Sequence, residues 1–143
     1  MDVLKTRIAK TLDLTNALAE GLSADALKSH NGKAPSNPIG GQFWCLVGAR
    51  ESYARAFEAG RWRGFSCSLA EPDAPAAVQA ALAASRDLVL ERLAAAQGDL
   101  DEARQGILID LIEHEAQHHG QLIRYFYANN LPFPPTFASR YAL

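Results

Sequence analysis

The stretch Ile107 to Tyr127, ILIDLIEHEAQHHGQLIRYFY, decides how this chain is read. Three of the four histidines fall within six residues of it, at His114, His118 and His119. Ile107, Leu111, His114, His118, Gln121 and Tyr125 recur in steps of four and three, the spacing of one stripe on one α-helix. His114 and His118 therefore sit one turn apart on the face that Ile107 and Leu111 turn inward, where two imidazoles can converge on one metal ion. His119 is rotated by about 100° and is not placed to share that ion. Burying several polar groups costs free energy unless each finds a partner, so the spacing leaves two readings: metal ligands, or a hydrogen-bonded polar cluster.

The letters His114-Glu115-Ala116-Gln117-His118 also spell HExxH, the zinc-peptidase motif in which Glu115 would be the general base. That chemistry needs a third ligand beyond the motif. No acidic residue and no histidine follows His119, and the only methionine is Met1, so a Met-turn is excluded. No run of strands is present to form a substrate-binding edge. The peptidase is the minor reading.

A chain of 143 residues is expected to form one domain, 1–143, large enough to bury a core. A net charge of −2 gives no basic footprint for nucleic acid or an anionic membrane. No apolar run approaches the roughly 20 residues of a membrane span, and MDVLKTRIAK lacks the apolar core of a signal peptide. Two cysteines 22 residues apart make neither a Cys-x-x-Cys site nor a disulfide framework. A cytoplasmic location is expected.

Periodicity predicts four helices. The first covers Val3 to about Gly21, with a further turn capped by Ser23. A Gly/Pro loop follows at 30–38, and the second helix runs from Pro38 to Gly60 with Asn37 as cap and Ile39, Phe43, Leu46, Tyr53 and Phe57 as its buried stripe. Its glycines at 40, 41 and 48 predict close approach of another backbone. The connection 61–73 is long enough to cross the end of a bundle, so the second and third helices need not be antiparallel neighbours. Asp73 caps the third helix, which runs to about Gln97. Gly98 stops it, and Asp99, Asp101 and Glu102 bring negative charge to the start of the fourth. The fourth ends near Asn129-Asn130. The apolar tail, with Phe133, Phe137 and Tyr141, packs along the bundle or against a second copy.

His114, His118, His119, Gly120 and Gln121, on the last long helix of a chain this short, resemble the motif of the DinB-like (DinB/YfiT) family of metal-binding proteins. His119 stands where that family often has Arg. The resemblance extends to length and helix order over nearly the whole chain. It implies an all-α, four-helix bundle with a long crossover between helices 2 and 3, assembled as a homodimer. It also implies a divalent ion (Zn, Ni, Mn or Fe) at His114 and His118, with a third ligand on helix 2.

Members carry a histidine there and this chain has none. Aligned on Phe43-Trp44 and Tyr53, the position falls on Cys45, whose thiolate is a good zinc ligand. Gln42 and His30 are the other candidates, and packing is the plain role for a buried Cys. Asp110 is excluded, because residues 110 and 118 lie about 12 Å apart along the helix at 1.5 Å per residue. Arg50 and Glu51 read as bundle-edge charges, Glu115 as a surface or supporting group, Trp44 and Trp62 as apolar bulk, and Cys67 as packing or an exposed thiol. By the resemblance the ion would activate a small-molecule thiol for S-transfer, or a water for hydrolysis. The alternative is a non-catalytic helical dimer with a degenerate or structural site. No catalytic residue is assigned.

Overall fold

The computed structural model describes residues 2–96, 98 and 100–143. Met1, the expected helix end at Gln97 and the expected dipole charge of Asp99 lie outside the described residues. Six helices occur among the rest: α1 (Asp2–Ala19), α2 (Ala24–Leu27), α3 (Ile39–Ala59), α4 (Pro75–Ala95), α5 (Glu102–Ala128) and α6 (Pro135–Tyr141). The expected four-helix bundle is thus corrected to a six-helix all-α bundle. The extra elements have local causes. Ser23 accepts from Ala26 N at 3.1 Å and caps α2. In the tail, Pro135 starts α6 and Phe137 is fully buried by its own chain. The apolar tail, one reason to expect a homodimer, needs no second copy to cover Phe137.

Packing of α1 on α4 and α5, and of α3 on α4 and α5, gives the long helices a four-cornered arrangement. Asp13 pairs with Arg86, and the carbonyl of Ala19 accepts from Gln79, so α1 and α4 are antiparallel. Contacts of Gln42 with His118, Arg50 with Glu115 and Arg104 with the carbonyl of Glu58 make α3 and α5 antiparallel as well. Arg50 reaches the Leu82 carbonyl and Glu58 pairs with Arg92, so α3 and α4 are parallel neighbours. The connection 61–73 does not cross the bundle's end but runs back along α3. Its Ser66 N donates to Ser52 Oγ at 3.1 Å, and its Ser68 N donates to Glu51 at 2.9 Å. Two of the three glycines explain themselves here. A Cβ on Gly40 would lie 2.1 Å from the Pro72 carbonyl oxygen, and one on Gly48 would strike the Phe65 ring at 2.3 Å.

Two helix caps differ from expectation. Asn37 does not cap α3: Pro38 stands at that position without a side-chain bond, and the Asn37 carbonyl accepts from Tyr125. Asp73 does not cap α4 but pairs with Lys28 at 3.8 Å. On α5 Asp101 is the cap, accepting from Arg104 N at 2.8 Å.

The interior consists of two apolar clusters. One gathers Leu18, Phe43, Leu46, Leu82, Phe126 and Phe137, and the other Ile8, Leu12, Phe57, Leu93, Leu108 and Leu111. Burying each such side chain is worth about 1.5–3 kcal/mol. Between them lies a polar layer built from all four long helices: Thr15, Arg50, Ser85, Glu115 and His119, all buried. Among the described residues no helix is long and apolar enough to cross a membrane.

Candidate metal centre

The inward stripe of α5 is Leu108, Leu111, Glu115, His118, Leu122 and Phe126. It is rotated slightly from the one spacing suggested, so Glu115 and His119 enter the core while His114 stays half-buried and Gln121 is exposed. Two polar constellations therefore share one helix.

The first is the buried layer. Arg50 and Glu115 are both 0% exposed and form a bidentate pair, Nε to Oε1 at 2.6 Å and Nη2 to Oε2 at 3.2 Å. The other Arg50 N–H groups reach Asn16 Oδ1 at 2.8 Å and the carbonyls of Leu82 and Leu12 at 3.1 and 3.2 Å. All five guanidinium donors are thus used. The Thr15 hydroxyl donates to Glu115 and accepts from His119 Nε2 at 2.6 Å, while the Tyr141 hydroxyl donates to His119 Nδ1 at 2.7 Å. Burial alone would push the Glu115 carboxyl up. The charge and hydrogen bonds of Arg50 overcome this and hold it below the ordinary range. Burial drives His119 down to about 4, so it is neutral, and its 4.0 Å approach to Glu115 is not an ion pair. Arg50 and Glu115, expected at the bundle edge and surface, are instead its interior. A carboxylate held this way is not free to serve as the base of an HExxH peptidase.

The second constellation is Cys45, His114 and His118. One donor atom from each lies within 4.8 Å of the others. Cys45 Sγ is 3.7 Å from His114 Nε2, and the two imidazole centroids are 4.7 Å apart. Around a tetrahedral zinc, with bonds of about 2.3 Å to sulfur and 2.0–2.1 Å to nitrogen, the S···N separation is about 3.5 Å. The donor set and its spacing fit such an ion with small side-chain rotations.

Hydrogen-bond logic fixes the tautomer of His118. The Asn37 carbonyl can only accept, so the Tyr125 hydroxyl donates to it at 2.6 Å. That hydroxyl then accepts from Gln42 Nε2 at 3.4 Å, which turns Gln42 Oε1 toward His118 Nδ1 at 2.6 Å. Nδ1 therefore carries the proton, and Nε2 offers its lone pair to the centre. Gln42 orients a ligand rather than being one. His30 is not in the cluster; its Nδ1 lies 2.8 Å from the Ser36 carbonyl.

Burial lowers His114 below its ordinary value and takes His118, with added repulsion from His114, to about 4. Both rings are neutral at pH 7 and able to ligate. Burial raises the Cys45 thiol, so it must lose a proton to bind. Tyr53 lies 6.4 Å from the His114 ring and 5.2 Å from Trp62, while Trp44 packs on Phe65 at 5.3 Å. Trp44 and Trp62, expected as apolar bulk, are 40% and 52% exposed. Cys67 is half-buried against the core, its thiol donating to the Trp44 carbonyl at 3.2 Å.

The buried ion pair is what sequence reasoning missed. Its signal was present: Glu115 interrupts Leu108-Leu111-Leu122, and Arg50 interrupts Phe43-Leu46-Phe57, in the same helical steps. Opposite charges at apolar positions of two neighbouring helices imply a pair.

No family model matches this chain, and no curated protein or solved structure matches it. The resemblance to the DinB-like family is corrected accordingly. It rested on five letters of one helix together with chain length and helix order, and neither a family match nor a four-helix topology supports it. The described residues form an all-α protein with a Cys45/His114/His118 cluster capable of coordinating a metal ion.

Proposed function

We propose that Cys45, His114 and His118 hold one divalent ion, zinc by donor chemistry, and that the protein is a metal-dependent hydrolytic enzyme. The observation that carries this reading is three converging donors with an open side, since Cys45 and His114 are only half-buried. Three protein ligands with one free position is the pattern of catalytic rather than closed structural zinc sites. Such an ion polarises a carbonyl and supplies a water-derived nucleophile at neutral pH.

This chain's own residues do the rest. Gln42, held by Tyr125, keeps His118 in its ligating tautomer, and the Tyr53–Trp62 pair walls the open side with aromatic surface. Among the described residues no fully buried side-chain nitrogen or oxygen lacks a hydrogen-bond partner, so the polar interior is satisfied without the ion.

The test is elemental analysis of untagged protein, followed by hydrolysis of an activated ester by the zinc-loaded form. One equivalent of metal, with ester cleavage lost in His118→Ala, is the expected result. Protein that takes up zinc without cleaving any of a panel of esters, amides and phosphoesters refutes the enzymatic part. Failure to take up zinc refutes the whole reading.

A further inference from the structure

A half-open cavity of about 810 Å³ lies on the opposite flank of α5 from the metal centre, between α1 and α5, with Arg140 of α6 in its lining. Its volume is in the range of small-molecule sites. Its wall on α1 runs from Val3 to Leu14, about 16 Å at 1.5 Å per residue. Leu4, Leu100 and Ile112 give it an apolar floor continuous with the Leu108/Leu111 cluster, and Leu14 adds to it from the other cluster.

The charge on this wall is one-sided. Arg7, Lys10 and Arg140 line it, and no acidic side chain does among the described residues, in a chain whose net charge is −2. Among the described residues none of the three forms a salt bridge there, whereas Arg50, Arg86, Arg92 and Arg104 each have a carboxylate. The two chemistries are also separated along the axis. Thr15 of α1 meets His119 of α5, which meets Tyr141, so Arg140 stands toward the Leu14 end with Lys10. Val3, Leu4 and Leu100 occupy the other end, beside the start of α5.

We propose that this cavity binds a free anionic amphiphile, an alkyl carboxylate of medium chain length, with its head at Lys10 and Arg140 and its tail on Leu4, Leu100 and Ile112. An alkyl tail suits the floor, and an anion suits three cations that have no counter-charge among the described residues. A neutral or cationic amphiphile of the same length gains the tail contact but not the head contact.

Isothermal titration with decanoate, decanol and decyltrimethylammonium below their aggregation concentrations tests this. The full chain should bind one decanoate, at least about tenfold more tightly than either comparison ligand. Lys10→Glu/Arg140→Glu should abolish that preference. Both positions are exposed, so thermal melting should show the variant folded. Absence of decanoate binding, equal binding of the three ligands, or an unchanged preference in the folded variant overturns the proposal. So does binding to phosphatidylglycerol vesicles without binding of free decanoate, which assigns the charge to a membrane surface instead.

Discussion

One helix carries two polar constellations with opposite fates. Glu115 and His119 turn into the core, where Arg50, Thr15 and Tyr141 use their hydrogen-bonding capacity. His114 and His118 turn toward α3, where Cys45 leaves the group half-open. The difference is one of completion. A charge sealed inside a bundle survives only when each donor and acceptor is matched, and a matched group is chemically inert. Three soft donors left with a free side stay available to a ligand. Adjacent letters such as His114 and Glu115 thus belong to different groups, one sealed in the core and one able to coordinate a metal ion. Substitutions can break either without the other, and the predicted effects fall in that order.

The largest effect belongs to the layer. Glu115→Gln leaves the Arg50 guanidinium buried without its counter-charge, and urea denaturation should show a loss of about 3–5 kcal/mol. Replacing both partners, Arg50→Met with Glu115→Leu, should recover much of it, as apolar replacement of buried pairs often does. A double variant no more stable than the single would show that packing, not charge, governs the layer.

Acid should act through one histidine of each group. His118 and His119 are both held near pH 4, below the ordinary value of about 6.5. Between those pH values the unfolded chain binds protons that the folded chain refuses, so stability falls as pH drops from about 6.5 to 4. His119 alone contributes on the order of 3 kcal/mol to that loss. Above pH 7 neither histidine should matter. Denaturation midpoints that stay flat from pH 7 to 4.5 would mean that both rings are protonated in the fold.

Gln42→Leu sharpens the contrast by loosening the open group without touching the layer. Removing the partner of His118 Nδ1 should weaken zinc affinity about 10–100-fold while one equivalent still binds at saturation. Competition with a chromophoric chelator reads this directly, and unchanged affinity would remove Gln42 from the account. The smallest effect is Tyr141→Phe, which deletes one hydrogen bond to His119 and should cost about 1 kcal/mol with no change in zinc affinity.

Much of the helical framework is legible in the chain. Ser23 caps α2, acidic residues mark the start of α5, and the His114/His118 spacing places two donors on one face. Cys45 entered through an alignment to a family that the chain does not match, yet the fold brings it to the two histidines for its own reason. α3 and α5 are antiparallel, and their registers set residue 45 opposite 114. Helical spacing alone could not provide that register, because it depends on how two helices slide against each other. The inward turn of Glu115 was hidden for a similar reason. A stripe through 107, 111 and 114 and one through 108, 111 and 115 share residues, and only the partner Arg50 decides between them. Gly40 and Gly48 announced a close approach but not that a returning segment, rather than a helix, makes it.

The most direct test of the division on α5 is a cobalt(II) titration of the wild-type chain beside Cys45→Ser, with urea denaturation of both apo proteins. The wild-type chain should take up one equivalent, with a thiolate-to-cobalt charge-transfer band. In Cys45→Ser that band should vanish, at a cost to apo stability below about 1 kcal/mol, since the thiol is half-buried and outside the polar layer. Cobalt bound equally without the band in either protein, or a Cys45→Ser chain destabilised as deeply as Glu115→Gln, would contradict it.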